Sequence, residues 1–196
     1  VPRPDPLRVA FVTGATPDRW ARRWREQRPR HPLELVPVGE ADQERVLRDH
    51  AVDMALVRLP VRRDDLHLVR LYEEVQVVVA GRDHWLAAGE EVTLADLVDE
   101  QLVAPHRSGW RPGADQIPWP AMDERQAVAT VAAGTGVVLL PMSVARLHHR
   151  RDVVVRPVPE LEGTTVGLAW LVERDDETTQ AFAGVVRGRT ARSSRG

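Results

Sequence analysis

Four places along the chain carry residue types that could hold a small anionic molecule. Thr13-Gly14-Ala15-Thr16 lies between a β-forming run and a helical one. Unpaired backbone N–H groups at a helix start, and the positive end of its dipole, make such a turn a ready anion site. Thr16, followed by Pro17, also suits the N-cap of that helix, and the two roles are compatible. Arg58 ends a later apolar run. Its guanidinium could grip a carboxylate through two parallel hydrogen bonds, or pair at the surface with Asp64 or Asp65. His106-Arg107-Ser108 offers an imidazole, a cation and a hydroxyl after a short apolar run. An exposed loop histidine is the plainer reading of His106. Thr135-Gly136 occupies a turn between a helical and an extended stretch.

Covalent chemistry is harder to place. The chain has no cysteine, and all 27 basic residues are arginine. Thiol nucleophiles, disulfides, Cys-type zinc sites and Schiff-base or P-loop lysines are thereby excluded. Ser108, Ser143, Ser193 and Ser194 sit in no nucleophile motif. His148 and His149 are adjacent, not at the i, i+4 spacing that lets two imidazoles share a metal, and Arg150 and Arg151 beside them oppose a cation. Asp64-Asp65 and Asp175-Asp176 read as turn and cap residues, and Thr13-Gly14-Ala15-Thr16 has too few glycines for a dinucleotide fingerprint. The expectation is no enzyme, no catalytic residue, no metal and no cofactor.

Composition agrees with a binding protein. Hydrophobic residues make up 43% and charged residues 29%, as in ordinary globular domains. A net charge of −2 gives no whole-chain field for nucleic acid. At 196 residues the chain has room for one large domain or two small lobes. No run approaches the roughly 20 apolar residues of a membrane span, and the start does not read as a signal peptide. A cytoplasmic protein without membrane contact is expected.

The elements that must position these residues follow from periodicity. Leu7 to Val12, Leu33 to Val38 and Val52 to Val57 read as strands, separated by helices through Trp20 and Trp24 and through Val46 and Leu47. That alternation with short loops is the signature of a parallel α/β sheet. Leu66 to Leu71 and Val75 to Ala80 are extended runs, Asp83 to Ala88 a short helical piece, and Thr93 a cap for 94–98. Leu102 to Ala104 reads as a short strand, and Pro105 to Met122 as a proline-rich loop. The most informative stretch is Thr130 to Pro141: helix, glycine turn, buried strand, proline stop. Gly134 falls where a helix end wants positive φ, and Gly136 where the backbone must pass close to something else. After a helix over Ser143 to His149 come extended runs at 153–155 and 157–159, a strand at 166–172, and a helix over 175–186 capped by Asp175 or Asp176.

With these elements in order, four phrases carry a family resemblance: Leu7-Arg-Val-Ala-Phe-Val12, Val52-Asp-Met-Ala-Leu-Val57, Leu71-Tyr-Glu-Glu-Val-Gln-Val-Val-Val79 and Val131-Ala-Ala-Gly-Thr-Gly-Val-Val-Leu-Leu-Pro141. The chain resembles the effector-binding (substrate-binding) domain of LysR-type transcriptional regulators, from about Leu7 to about Arg187. The resemblance implies a two-lobed α/β fold of the type 2 periplasmic-binding-protein kind. Each lobe would be a mainly parallel sheet flanked by helices, with two crossing strands near Ala80 and Pro159. Lobe one would be 7–80 with 161–188 and lobe two 81–160, leaving 1–6 and 189–196 as extended or disordered ends.

The ligand would then lie in the cleft between lobes, outside the carboxyl ends of the strands. Thr13, Gly14, Thr16, Glu40 and Arg58 would meet it from lobe one, and His106, Arg107, Ser108, Thr135 and Gly136 from lobe two. Glu40 follows the second strand at a turn where the family places ligand contacts. Arginine and helix N-terminus favour a small organic acid; Glu40 could instead meet an amine, which keeps an amino acid open. The implied function is a small-molecule sensor that acts as a homodimer, with no direct DNA binding by this chain. The Trp20/Trp24 helix could supply part of the pairing surface, or could simply be core. A transporter's solute receptor shares the fold and is the rival reading, with an enzyme on the same fold behind it. The chain departs from the family pattern at His50, where glycine is usual, and at 105–122, where the second lobe looks trimmed.

Overall fold

A computed structural model describes residues 5–188. The expected loose ends at 1–6 and 189–196 therefore lie outside the described residues, apart from Asp5 and Pro6, which have no regular structure. In chain order the elements are β1 (Leu7–Val12), α1 (Asp18–Gln27), β2 (Leu33–Val38), α2 (Arg45–Arg48), β3 (Met54–Arg58), β4 (Leu66–Glu74) and β5 (Gln76–Gly81). There follow α3 (Glu124–Ala132), β6 (Val137–Pro141), α4 (Met142–Leu147), β7 (Val153–Pro157), β8 (Thr164–Leu171) and α5 (Glu177–Val186). The chain divides into two compact units: the described residues as far as Tyr72 together with those from Thr165 on, and Glu73–Thr164.

The first unit holds a five-stranded sheet in the order β2-β1-β3-β8-β4. β1 pairs in parallel with β2, Leu7 opposite Leu33, and with β3, Val9 opposite Met54. β8 closes on β3 in the antiparallel sense. The inner strands β3 and β8 are buried along their whole length because both faces of the sheet are covered there. Val9, Met54, Leu56 and Leu168 face the α1/α5 side, while Ala10, Ala55, Val57 and Leu171 face Leu47 of α2. Trp20 and Trp24, one turn apart on α1, are core residues. The Trp24 ring meets Phe182 of α5 edge to face at 5.6 Å, and its indole N–H donates to the His31 carbonyl at 2.9 Å. α5 is capped by Asp176, whose carboxylate accepts from the Thr178 and Thr179 N–H groups.

The second unit holds a three-stranded sheet, β6-β5-β7. Here the structure corrects the expectation of a mainly parallel sheet: both ladders are antiparallel, with Val78 opposite Leu139 and opposite Arg156. The strand expected at 102–104 is a single parallel bridge, Leu102 to Val137. An apolar run records that both faces are buried, not the direction of its neighbour. α3 and α4 cover one face through Val128, Val131 and Val144; Leu86, Val92 and Leu97 cover the other. β5 is laddered on both sides within this unit. The boundaries accordingly fall at Tyr72/Glu73 inside β4 and Thr164/Thr165 inside β8, not near Ala80 and Pro159.

The α3–β6 turn behaves as its glycines require. Gly134 has φ +87° and Gly136 φ +65°, and a Cβ at Gly136 would overlap the Gln101 carbonyl. That close approach lets Val137 N–H donate to Gln101 and Val103 N–H donate to Val137. His50 has φ +54°, the left-handed conformation that glycine would adopt with less strain.

Candidate functional site

In the first unit, β1, β2 and β3 end side by side, and three of the expected residues converge there. Arg58, the last residue of β3, is fully buried. Its Nη1 donates to Glu40 Oε2 at 3.2 Å and its Nη2 to the Thr13 carbonyl at 3.0 Å. A buried guanidinium needs such partners, because an uncompensated charge would carry its full desolvation cost. The backbone of Arg58 is fixed as well. Its N–H donates to Gln43 Oε1 at 2.7 Å, and its carbonyl accepts from Gln43 Nε2 at 2.8 Å. Gln43 was not among the sequence candidates. Its spacing from Val46 and Leu47 puts it on the buried stripe of that segment, and this was the available signal.

The surface pairing considered for Arg58 is not formed. Asp65 is taken by Arg48, at 2.8 Å, and that guanidinium holds the Asp65 carboxyl below the usual carboxylate range. Gly14 has φ +88° and carries the chain from β1 toward α1, with Thr13 N–H bonded to the Val38 carbonyl at 3.1 Å. Thr16 is exposed and does not cap α1; Pro17 already has helical dihedrals, and its carbonyl accepts from Trp20 and Ala21. No side chain caps this helix start, which leaves its first N–H groups to other acceptors.

In the second unit His106 is buried, 7% exposed, which overturns the exposed-loop reading. It stands in a chain of hydrogen bonds. Gln76 Nε2 donates to Thr164 Oγ1 at 2.5 Å, so Gln76 Oε1 is left to accept from His106 Nε2 at 3.1 Å. His106 Nδ1 then accepts from the Ser108 hydroxyl at 2.8 Å, and Ser108 Oγ in turn accepts from the Trp110 N–H at 3.1 Å. The network assigns the neutral Nε2–H tautomer. Burial first, and the neighbouring Arg107 cation second, push the imidazole pKa down. Gln76 and Thr164 were missed as candidates. A glutamine beginning a valine run is the signal that a buried polar contact waits there.

Arg107 is exposed, as is Thr135. Among the described residues, no hydrogen bond joins Thr135 or Gly136 to the His106 chain; Gly136 is accounted for by its approach to Gln101. The structure thus gathers Thr13, Glu40 and Arg58 in one unit, and His106 and Ser108 in the other. Among the described residues, no group of three His, Cys, Asp or Glu side chains could hold a metal ion, and no helix is long and apolar enough to cross a membrane.

The family described as LysR substrate binding domain matches residues 4–191. The chain belongs to that family. Among curated relatives, the HTH-type transcriptional regulator AlsR of Bacillus subtilis is 23% identical over 175 residues, covering 80% of this chain and 57% of AlsR. The Hca operon transcriptional activator HcaR of Escherichia coli is 26% identical over 185 residues, covering 86% of this chain and 61% of HcaR. The chain therefore spans about three fifths of the length of these regulators. Among solved structures, the BenM effector binding domain with its effector benzoate superposes with a TM-score of 0.73 at 20% identity, over 97% of this chain and 94% of that one. At this identity the likeness shows the fold, a mixed α/β one with two sheets of the type 2 periplasmic-binding-protein kind.

Proposed function

We propose that this LysR substrate-binding domain is the sensor of a transcriptional regulator and binds a small organic acid or amino acid at the Arg58 centre. The observation that carries the reading is the convergence of Thr13, Glu40 and Arg58 at the carboxyl ends of three neighbouring strands, where open α/β sheets take their ligands. Arg58 and the uncapped start of α1 suit a carboxylate, and Glu40 suits an amine. His106, Arg107, Ser108, Thr135 and Gly136 remain the candidates of the second unit. The domain acts by binding, without catalysis, in the cytoplasm and as a homodimer. The similarity to regulators supports a sensor over a transporter's solute receptor or an enzyme. To act at all, the ligand must bind one conformation better than another.

A thermal-shift screen against organic acids and amino acids tests this. A ligand at about a hundred times its Kd adds roughly 2.7 kcal/mol, which for a chain of this size is a rise of roughly 5–10 °C. The rise should vanish in Arg58→Lys, which keeps the charge but loses the planar fork, and weaken in Thr13→Ala. A ligand whose shift survives both substitutions unchanged binds elsewhere and defeats the proposal.

A further inference from the structure

The loop between Pro105 and Met122 is too proline-rich to form a helix, yet it is not loosely held. Gln101 and Gln116 clamp it to the rest of the second unit. Gln101 Nε2 donates to the Asp115 carbonyl at 2.9 Å, and its Oε1 accepts from Ile117 N–H at 2.8 Å. Gln116 Oε1 accepts from Leu102 N–H at 2.7 Å, and its Nε2 donates to the carbonyls of Glu100 and Ala114. Two side-chain amides thus do for this loop what a helical ladder would have done.

Between the clamped loop and the 102–105 segment lies a cavity of about 560 Å³, within the range of small-molecule sites. Its walls are mainly apolar, including Pro105, Ile117, Trp119 and Met122, and Arg111 supplies the one guanidinium among the lining residues. Ile117, a large apolar side chain, stands 50% exposed on the cavity wall, although the Trp119 ring beside it packs against the core. An apolar wall held open by a clamped loop, beside a single cation, is the pattern of a small-molecule site.

We propose that this cavity is a second binding site, for a compact aromatic carboxylate. The ring would lie against Ile117, Trp119 and Met122. Its acid group would be drawn to Arg111. All lining residues belong to the second unit, so the site does not depend on the Arg58 centre.

The test follows the indole N–H signals of the full chain by NMR during titration with 1-naphthoate, with Trp119 assigned by Trp119→Phe. The Trp119 signal should move and saturate. Loss of a charge-assisted hydrogen bond should weaken binding about tenfold in Arg111→Ala, and the uncharged 1-naphthylmethanol should bind more weakly by a similar factor. Ile117→Glu, at an exposed position, should fill the cavity wall with a like charge, abolish naphthoate binding and leave the folded spectrum otherwise intact. A Trp119 signal that stays still at millimolar naphthoate, or naphthoate binding equal in the parent chain and in Ile117→Glu, overturns the proposal.

Discussion

The two buried polar centres solve one problem in opposite ways. The Arg58 centre is ionic: a guanidinium, a carboxylate and a backbone carbonyl at the ends of parallel strands. The His106 centre is neutral: imidazole, amide and two hydroxyls joined in a line across the second unit. Charge in a dry site is strongly held only while every partner remains, whereas a neutral network loses its bonds one at a time. The comparison predicts a steeper penalty for damage at Arg58 than at Gln76, and pH sensitivity that arises at His106.

The largest effect is expected from Arg58→Ala. It removes a buried guanidinium together with its bonds to the partly exposed Glu40 carboxylate and to the Thr13 carbonyl, and should cost about 3 kcal/mol, read by urea denaturation. A loss below 1 kcal/mol would mean that the pair is open to water and that the contrast fails. Gln76→Leu comes next. It strands the His106 N–H and the Thr164 hydroxyl, and should cost about 1–3 kcal/mol by the same measurement. A cost equal to that of Arg58→Ala would erase the distinction between the centres.

The His106 centre should also show a pH dependence of defined sign. In the unfolded chain the histidine takes up a proton near pH 6.5. In the folded chain burial and Arg107 lower that value. Between the two values the unfolded state holds the extra proton, so stability is fully present above about pH 6.5 and is lost as pH falls toward the folded pKa. Urea midpoints at pH 7.5 and 5.5 should therefore differ more for the parent chain than for His106→Gln. Equal differences would show that the imidazole is not kept neutral by the fold.

The smallest effect sets the scale for both centres. His50→Gly relieves a left-handed φ of 54° at the end of α2. It should stabilise the chain by about 0.5 kcal/mol, since glycine's entropy offsets part of the relief and the exposed pair with Glu173 contributes little. A net loss would mean that the His50–Glu173 contact matters more than its exposure suggests.

The sequence by itself determined the local elements and the family. Alternating apolar runs placed β1, β2 and β3, helical spacing placed α1 and α5, and Gly134 and Gly136 announced a turn that only glycine tolerates. Those signals are local, set by backbone sterics and by which faces are buried. Arg58 and Glu40 were legible as candidates because strand ends are readable. Their pairing with each other, and not with Asp64 or Asp65, was decided by which loop packs over β3. The direction of β6 and β7 beside β5, the burial of His106, and its link through Gln76 to Thr164 were likewise decided only in the tertiary structure. These depend on contacts between residues up to 88 positions apart, about which a run of valines carries no information.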